Sequence, residues 1–317
     1  MGQILIVVRT DAGINGYGVG GGGLAGRHVV NSVLRDLLLG RDAEQTSQLY
    51  DEMYQATVPF GRKGLAVLAM SGIVLAWWDT GGRSDRKQVV SLLGGQPGTP
   101  IPAYRTVWDT VPPELVGQFS AYKLHLGQTP LENLLSRIES ARKAIGPDCE
   151  LMTDAWMKWD LPTTLAFARE AEPYQLGWIE EPLPIDDREG YETLRNECPI
   201  PIAGGEHEFT EYGFGDVIRN RLHSVLQPDV CWCGGMTALV RIYEQALKAG
   251  IRICPHRGAE IWGLHAIAAL DPHPLAESGR PWMTWVLGQP SIRQGTVTLE
   301  DEPGFGITID ETTPLLR

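Results

Sequence analysis

Five ionisable side chains recur at intervals of 23 to 27 residues, and each follows a short apolar run: Asp154, Glu180, Glu206, Asp229 and His256. One of them lies in the stretch "PIAGGEHEFT", residues 201–210, where Glu206 comes after two glycines and is followed by His207 and Glu208. A single acidic residue after a strand is usually a solvated loop residue. The equal spacing and the repeated context indicate instead that these groups share one site.

The first three of these groups are carboxylates, and their chemistry is that of a metal site. Carboxylates a few ångströms apart repel one another unless a cation neutralises them. Oxygen ligands suit Mg²⁺, and neither Cys nor His occupies the three positions, which disfavours zinc. We therefore predict one Mg²⁺ held by Asp154, Glu180 and Glu206.

Proton-transfer groups flank the predicted metal on both sides. Lys123 and His125 are two residues apart, so they face the same way on a strand. Asp229 and His256 belong to neighbouring units, and an Asp beside a His orients the imidazole and raises its basicity. A small ligand on the metal would have one candidate group on each face.

The elements that must position these residues form a repeating pattern from about residue 118. Short apolar runs such as "CELMTDA" and "LGWIEEP" alternate with amphipathic helical stretches such as "PLENLLSRIESARKAIG". Strand–helix alternation predicts a parallel sheet, and six units, with "HPLAES" as a further strand, favour a closed barrel. The fold class is α/β, a (β/α)7-8 barrel in which the five groups lie at the mouth.

Three regions are predicted along the chain. Residues 1–100 contain strand, glycine-rich and helical stretches and form a small α+β capping domain. Residues 101–285 form the barrel. Residues 286–317 are turn-rich and strand-like, and we expect them to pack back on the capping domain and complete it.

Composition limits the partners. The chain has 317 residues and a formal net charge of −12, which argues against nucleic acid and anionic membrane surfaces. No leader or long apolar segment is recognised. Its five cysteines suggest reduced thiols in a cytoplasmic protein. Cys231 and Cys233 form a C-x-C with no second pair at zinc-site spacing, and we expect these two to be buried free thiols.

The chain resembles the enolase superfamily, mandelate racemase subgroup. The motifs that carry the resemblance are "YKLHLG", "LMTDAWMKWD", "WIEEPLP", "IAGGEHEFT", "LQPDVCWCGG" and "ICPHRG", with "AMSGIVLAWWD" and "PGFGITID" outside the barrel. Within the subgroup, "DAWM", the His after the third acidic residue and "QPDVCWCGG" are most similar to rhamnonate dehydratase and related sugar-acid dehydratases.

The resemblance implies a role for each strand-end residue. Asp154, Glu180 and Glu206 would be the Mg²⁺ ligands, and His256 with Asp229 the general acid/base pair. The other two positions are also implied catalytic residues: Lys123 matches the first lysine of the family's Lys-x-Lys motif, and Glu277 matches a glutamate that hydrogen-bonds the substrate carboxylate or the enediolate.

Three departures from the family pattern matter. His125 replaces the second lysine, so we expect a binding group there and not an obligatory base. Trp156 replaces a common Asn and changes the pocket wall. The family's first strand and mobile covering loop are expected before Met1 and are not found in the sequence.

The predicted activity is Mg²⁺-dependent dehydration of a rhamnonate-like sugar acid by a homo-oligomer. Alternatives are a racemase, epimerase or cycloisomerase of the same superfamily, a metal-dependent hydrolase, and a non-catalytic barrel. Three candidate substrate contacts are His207, at the leaving hydroxyl or behind a metal ligand; Arg257, at a distal substrate group or in solvent; and Trp156. Glu181 and Glu208 are expected to be supporting residues, and Trp178, Trp232 and Trp262 core residues.

Overall fold

The computed structural model describes residues 2–127, 130–310 and 312–313. The first region contains one antiparallel hairpin and a set of helices. The elements are β1 (Gln3–Arg9), β2 (Asn15–Gly21), α1 (Gly23–Val29), α2 (Arg35–Leu38), α3 (Thr46–Thr57), α4 (Leu65–Asp85) and α5 (Val89–Leu92), with a π-helical turn over Val30–Leu34 between α1 and α2.

The glycines of β2 allow α4 to lie directly against the hairpin. A Cβ atom on Gly18 would lie 2.1 Å from the carbonyl oxygen of Gly72, and one on Gly20 would lie 2.5 Å from that of Leu68. The glycine-rich stretch is therefore mainly a strand, and the turn that joins it to β1 is formed by the residues before it.

Helix α4 is the core helix of this region. Its length and apolar composition would allow it to cross a bilayer, but 83% of its apolar window is buried inside the protein. A helix that is apolar all round is expected when it is packed on every side. Residues such as Met70 and Val74 pack with Met53 of α3 and Leu34.

The barrel is built from eight strands, each paired in parallel with its neighbours. The path runs β10-β3-β4-β5-β6-β7-β8-β9, and its two ends approach where the Cys254 thiol lies 3.4 Å from the Leu275 carbonyl oxygen. The strands are β3 (Ile101–Trp108), β4 (Ala121–His125), β5 (Glu150–Asp154), β6 (Leu176–Glu180), β7 (Ile202–Gly204), β8 (Val225–Leu226), β9 (Arg252–Ile253) and β10 (Ala276–Glu277). The predicted barrel fold is confirmed.

Helices follow six of the barrel strands. The first five bury mainly one face, whereas residues 261–267 of the sixth are all buried. They are α6 (Leu131–Ile145), α7 (Leu161–Ala171), α8 (Arg188–Glu197), α9 (Thr210–Asn220), α10 (Gly235–Ala249) and α11 (Ile261–Leu270). Asp160 caps α7 by accepting a hydrogen bond from the Thr163 amide at 2.9 Å, as its place before an amphipathic stretch indicates.

The C-terminal segment contacts both larger regions. Its strand β12 (Thr296–Val297) pairs with β3, and β11 (Val286–Leu287) pairs with β13 (Thr308–Ile309). The Phe305 amide donates to Asp79 of α4 at 2.8 Å, and the Val89 amide donates to the Gly304 carbonyl at 2.9 Å. These contacts tie the end of the chain to α4 and α5.

Strand register brings the predicted site residues to one level. His125 of β4 is aligned with Asp154 of β5, and Asp154 is aligned with Glu180 of β6. Below them the barrel is filled by apolar side chains, among them Tyr104, Met152 and Trp178. The polar groups therefore lie on a packed floor at the carboxyl ends of the strands, where barrel active sites form.

Candidate active site

Lys123 is the most deeply buried charged group of the site. Its side chain is 1% exposed, and its ammonium lies 2.7 Å from both carboxylate oxygens of Glu180 and 2.8 Å from Oε1 of Glu277. The aromatic ring of Tyr104 lies beneath it, with its centroid 5.8 Å from Nζ. This lysine therefore joins strands β4, β6 and β10 through charge.

The pKa values of Lys123 and Glu180 are both raised, for different reasons. Burial opposes the charge of Lys123, but Glu180, Glu277 and Asp154 outweigh it and hold the lysine pKa well above its usual value. Burial raises the pKa of Glu180 to about 8, and the neighbouring carboxylates Asp154, Glu277 and Glu206 add to the rise. The cluster thus holds more carboxylate charge than one ammonium neutralises.

Asp154 and Glu206, the other two predicted ligands, are buried and are paired with imidazoles. Asp154 contacts His125 Nδ1 at 2.9 Å and accepts from the Trp156 amide at 2.8 Å. Glu206 lies 2.8 Å from His256 Nε2 and 3.3 Å from His207 Nδ1. Each of these two carboxylates therefore has an imidazole within hydrogen-bond distance.

His256 and Asp229 form the predicted pair, with Nδ1 and Oδ2 at 3.0 Å. Asp229 is oriented by the Cys231 amide, which donates to its other oxygen at 2.8 Å. Burial lowers the pKa of His256, but Glu206 and Asp229 overcome this and raise it to about 10. In this arrangement the imidazole is charged and donates from both ring nitrogens.

Glu277 contacts three protein groups that the sequence did not predict as its partners. It contacts Lys123, accepts from the Thr106 hydroxyl at 2.5 Å and accepts from the Arg257 amide at 2.8 Å. Although burial opposes it, the charge of Lys123 lowers the pKa of Glu277 to about 2. These three partners leave room for at most about one further hydrogen-bond donor at the carboxylate.

The three predicted substrate contacts occupy two sides of the mouth. Trp156 lies beside His125, with ring centroids 6.0 Å apart. His207 lies on the opposite side, and its Nδ1 is 2.7 Å from Glu181. The Arg257 guanidinium lies 5.2 Å over the ring of Trp232, partly exposed to solvent.

The expectation that Trp232 belongs to the core is wrong. Its ring lies 5.6 Å from that of His256 and 6.0 Å from that of His207, so it borders the site. Trp178 and Trp262 are fully buried, as expected. The position of Trp232, three residues after Asp229, places it in the loop that leaves the mouth.

Three further contacts were not predicted from the sequence. Gln227 donates to Glu180 at 2.6 Å and precedes Asp229 by two residues in the same segment. Thr106 donates to Glu277, and Trp108 packs against His125, from the first barrel strand β3. Gln227 could have been predicted, because it lies two residues before Asp229, one of the regularly spaced ionisable residues. Thr106 and Trp108 could not, because β3 carries no motif that indicates catalysis.

The loops that leave the strands hold unusual backbone geometry. Non-glycine residues with positive φ include Trp156 (47°), Met157 (58°), Glu181 (36°) and Arg257 (54°). They lie one to three residues after Asp154, Glu180 or His256. Such conformations cost free energy and persist where packing and hydrogen bonds enforce them. Here the Met157 amide donates to the Glu181 carbonyl at 2.6 Å.

The donor set fits a hard divalent cation. Buried carboxylates in excess of the available positive charge are what Mg²⁺ neutralises. Among the described residues, the His, Asp and Glu donors that lie within 4.8 Å of one another are those of Glu181, Glu206 and His207, which share only Glu206 with the predicted triad. In that group, however, the Glu181 carboxylate is already bound to His207 and to the Gly205 amide.

Fold and site together define a barrel protein with acid–base groups and carboxylate donors at its mouth. Residues 2–94 match "Mandelate racemase / muconate lactonizing enzyme, N-terminal domain", and residues 114–313 match "Enolase C-terminal domain-like". The chain belongs to the enolase superfamily, in its mandelate racemase subgroup, as its motifs predicted.

The named relatives include enzymes of more than one kind, dehydratases and a racemase among them. The L-rhamnonate dehydratase of Saccharopolyspora erythraea is 32% identical, over 100% of this chain and 85% of its own length. A Streptomyces coelicolor A3(2) racemase with bound magnesium has a TM-score of 0.89 at 30% identity, covering 97% and 89% of the two chains. The L-talarate dehydratase of Polaromonas sp. JS666, complexed with Mg and L-glucarate, has a TM-score of 0.87 at 28% identity, covering 98% and 90%.

These findings agree with the predicted Mg²⁺ cofactor and a small acid ligand. Both of these solved relatives contain magnesium, and the L-talarate dehydratase also contains L-glucarate. The carboxylate cluster of this chain supplies the oxygen donors that such an ion takes. Dehydratase names among the relatives support an enzyme of the hydro-lyase type.

Proposed function

We propose that the protein is a Mg²⁺-dependent sugar-acid dehydratase that converts a rhamnonate-like aldonate into a 2-keto-3-deoxy acid. The observation that carries the proposal is the His256–Asp229 pair, which lies beside the buried acidic cluster while Lys123 lies across it. Asp154, Glu180 and Glu206 would hold the ion. When bound, Mg²⁺ supplies positive charge that stabilises the carboxylate as it becomes an enediolate.

His256 carries out both proton transfers, and Asp229 supports it. His256 takes the proton from C2 through Nε2, once that nitrogen no longer carries the proton it donates to Glu206. Asp229 keeps the ring in place through Nδ1 and stabilises the imidazolium that forms. His256 then returns the proton to the hydroxyl at C3, the C3–O bond breaks, and water leaves. The resulting enol rearranges to the 2-keto acid.

Lys123 contributes charge and does not act as a base. Two carboxylates surround its ammonium at 2.7–2.8 Å and its pKa is raised, so a neutral amine is disfavoured at pH 7. His125 is bound through Nδ1 to Asp154. Because a racemase needs a competent base on each face of the substrate, this arrangement favours dehydration over racemisation.

The test is a panel of aldonic and aldaric acids incubated with the Mg²⁺-loaded protein, with 2-keto-3-deoxy acid as the readout. We expect turnover of at least one aldonate, its loss with EDTA, and its recovery with Mg²⁺. Parallel reactions in D₂O examine the C2 epimer of that substrate, which should not exchange its α-proton. Exchange that survives in His256→Asn and disappears in His125→Ala would instead support a racemase or epimerase.

A non-catalytic barrel would give a different pattern. It would bind Mg²⁺ and acids, and no acid of the panel would be converted. A hydrolase would release product from ester or amide substrates and leave the aldonates unchanged.

A further inference from the structure

The inward face of strand β3 carries three residues at increasing height in the barrel. Side chains two residues apart point to the same side of a strand. Tyr104 is buried beneath Lys123, Thr106 donates to Glu277, and Trp108, the last residue of β3, lies at the mouth. Trp108 therefore stands above the predicted catalytic groups on the same face of its strand.

Trp108 and Trp156 flank His125. The ring centroids of Trp108 and His125 are 4.0 Å apart with the planes at 59°, and those of His125 and Trp156 are 6.0 Å apart at 58°. The two indoles nevertheless remain 69% and 44% exposed. We call these three rings the aromatic wall.

An aromatic wall of this kind is unusual beside such an acidic cleft. Large apolar side chains exposed next to one another mark binding surfaces, and an indole offers a broad face to apolar C–H groups. Inside the mouth lie the carboxylates of Asp154, Glu180 and Glu206. Lys158 places a cation at this wall, since its ammonium lies 5.0 Å over the indole ring of Trp156.

This distribution of charge favours some sugar acids over others, according to the charge at the end of the molecule away from the reacting carboxylate. The carboxylate next to the reacting carbon would lie with the metal and Lys123, deep in the mouth. A second carboxylate at the far end would meet indole faces and the repulsion of the acidic cluster. Its compensation would come mainly from Lys158, because Arg137 lies against Asp109 and Arg257 lies near Asp229. A neutral end, and above all a methyl group, would instead cover apolar ring surface.

We propose that Trp108, with Trp156, binds the end of the substrate away from its reacting carboxylate and selects a monoacid with a neutral, deoxygenated end over a 1,6-diacid. The inference rests on the proposed function for the nature of the ligand. It assigns a specificity-determining role to Trp108, a residue outside every motif that revealed the family.

The experiment measures binding, so that it does not depend on turnover. Isothermal titration of Mg²⁺-loaded His256→Asn protein compares three acids of the same configuration: L-rhamnonate, its 6-hydroxy analogue and the corresponding 1,6-diacid. We expect the deoxy acid to bind about tenfold more tightly than the diacid, with the hydroxy acid between them. Adding Trp108→Ala should weaken the deoxy acid by about tenfold and the diacid by less than twofold.

Two further variants serve as controls. Trp108→Phe keeps an aromatic face and should retain most of the preference. Leu247→Ala removes an exposed apolar side chain from α10, near the end of the helix that leads into β9, and should leave all three affinities unchanged.

The outcomes separate the two proposals. If Trp108→Ala weakens all three acids equally, the residue only positions His125, and the specificity role is overturned. Tighter binding of the diacid, or no binding of any of the three acids, also overturns it. Preference for the deoxy acid without conversion of any acid by the wild-type protein would leave the role of Trp108 standing and reject the dehydratase activity.

Discussion

At the scale of single residues, the site is governed by the imbalance between buried carboxylates and the one buried ammonium. Lys123 contacts Glu180 and Glu277, while Asp154 and Glu206 turn to imidazoles. A charge buried without compensation is costly, and these hydrogen-bonded partners lower that cost. The same need makes the cluster a receptor for a divalent ion, which the following two predictions examine.

The first prediction concerns Asp154. The variant Asp154→Asn keeps the shape of the side chain but removes its charge, so Mg²⁺ affinity should fall at least about 100-fold, measured by titration calorimetry. Glu181→Gln is the matched control and should change the affinity by far less. If Glu181→Gln abolishes binding and Asp154→Asn does not, the ion is held by Glu181, Glu206 and His207 instead.

The second prediction concerns His256. His256→Asn should lower the dehydration rate by about 10³-fold, because no other group beside Asp229 can take the C2 proton. Its affinity for Mg²⁺ should remain close to that of the wild type. His273→Asn, at an exposed histidine in the turn before β10, serves as the control for loss of an imidazole. Wild-type turnover in His256→Asn would remove the pair from the mechanism.

At the scale of secondary-structure elements, close packing explains residues that have no chemical role. The hairpin β1–β2 and helix α4 approach so closely that glycine is required at their contact. Helix α11 of the barrel is joined to the short helix α5 by a buried hydrogen bond from the Val90 amide to His265. Two predictions address these contacts.

Gly18→Ala should destabilise the protein by about 3 kcal/mol, since the added methyl group would lie 2.1 Å from the Gly72 carbonyl oxygen. Gly81→Ala in α4 is the matched control: nothing lies within 4 Å of its Cβ position, and alanine favours helix by about 1 kcal/mol. Urea denaturation measures both. Equal stability of the two variants would show that α4 can move away from β2.

His265 should make stability depend on pH. Burial lowers its pKa to about 3, and its neutral Nδ1 accepts from the Val90 amide at 2.9 Å. In the unfolded chain a histidine takes up a proton near pH 6.5. Between about pH 6.5 and 3 the unfolded state therefore binds more protons, and stability decreases as the pH falls through that window.

The comparison uses His265→Gln, which cannot be protonated, and His273→Gln as the exposed control. Urea unfolding at pH 6.5, 5.5 and 4.5 should give His265→Gln a slope shallower than that of the wild type by up to about 1.4 kcal/mol per pH unit. His273→Gln should keep the wild-type slope. Identical slopes for all three proteins would contradict the assignment.

At the scale of the whole molecule, the first region is held to the barrel beside the strand that carries Glu206. Arg241 of α10 contacts Asp51 at 2.6 Å and Glu211 at 2.7 Å, and Tyr50 donates to Glu211 at 2.7 Å. Lys63 pairs with Glu208 at 2.9 Å, two residues after Glu206. These contacts connect the capping helices to the loop that positions a predicted metal ligand.

Asp79 holds the C-terminal segment to the first region. Its buried carboxylate accepts from the Tyr17 amide at 2.9 Å, from Arg83 at 2.8 Å and from the Phe305 amide at 2.8 Å. Asp79→Ala would leave these donors without a partner, so we expect a loss of about 3 kcal/mol or more and faster proteolysis after residue 300. Asp85→Ala breaks an exposed pair with Lys87 and should cost less than about 1 kcal/mol.

The sequence by itself was enough for the fold, and it predicted which residues form the site. The alternation of apolar runs and amphipathic helices depends on local periodicity, which is visible in a single chain. Because parallel strands present their carboxyl ends at one edge, regular spacing predicted one mouth for Asp154, Glu180, Glu206, Asp229 and His256. Strand register and side-chain contacts link members of this set. Mg²⁺ was predicted from the types of three of these residues, because neighbouring carboxylates need a cation and their oxygens suit Mg²⁺.

Only the tertiary structure decided which group contacts which. The pairing of Lys123 with Glu180 and Glu277, and of Glu181 with His207, joins side chains from different strands. Trp108 and Trp232 belong to the site for the same reason, since neither residue type nor spacing distinguishes an indole at the mouth from one in the core. Such contacts depend on register, rotamer and burial together, and these are properties of the packed barrel that no local stretch of sequence contains.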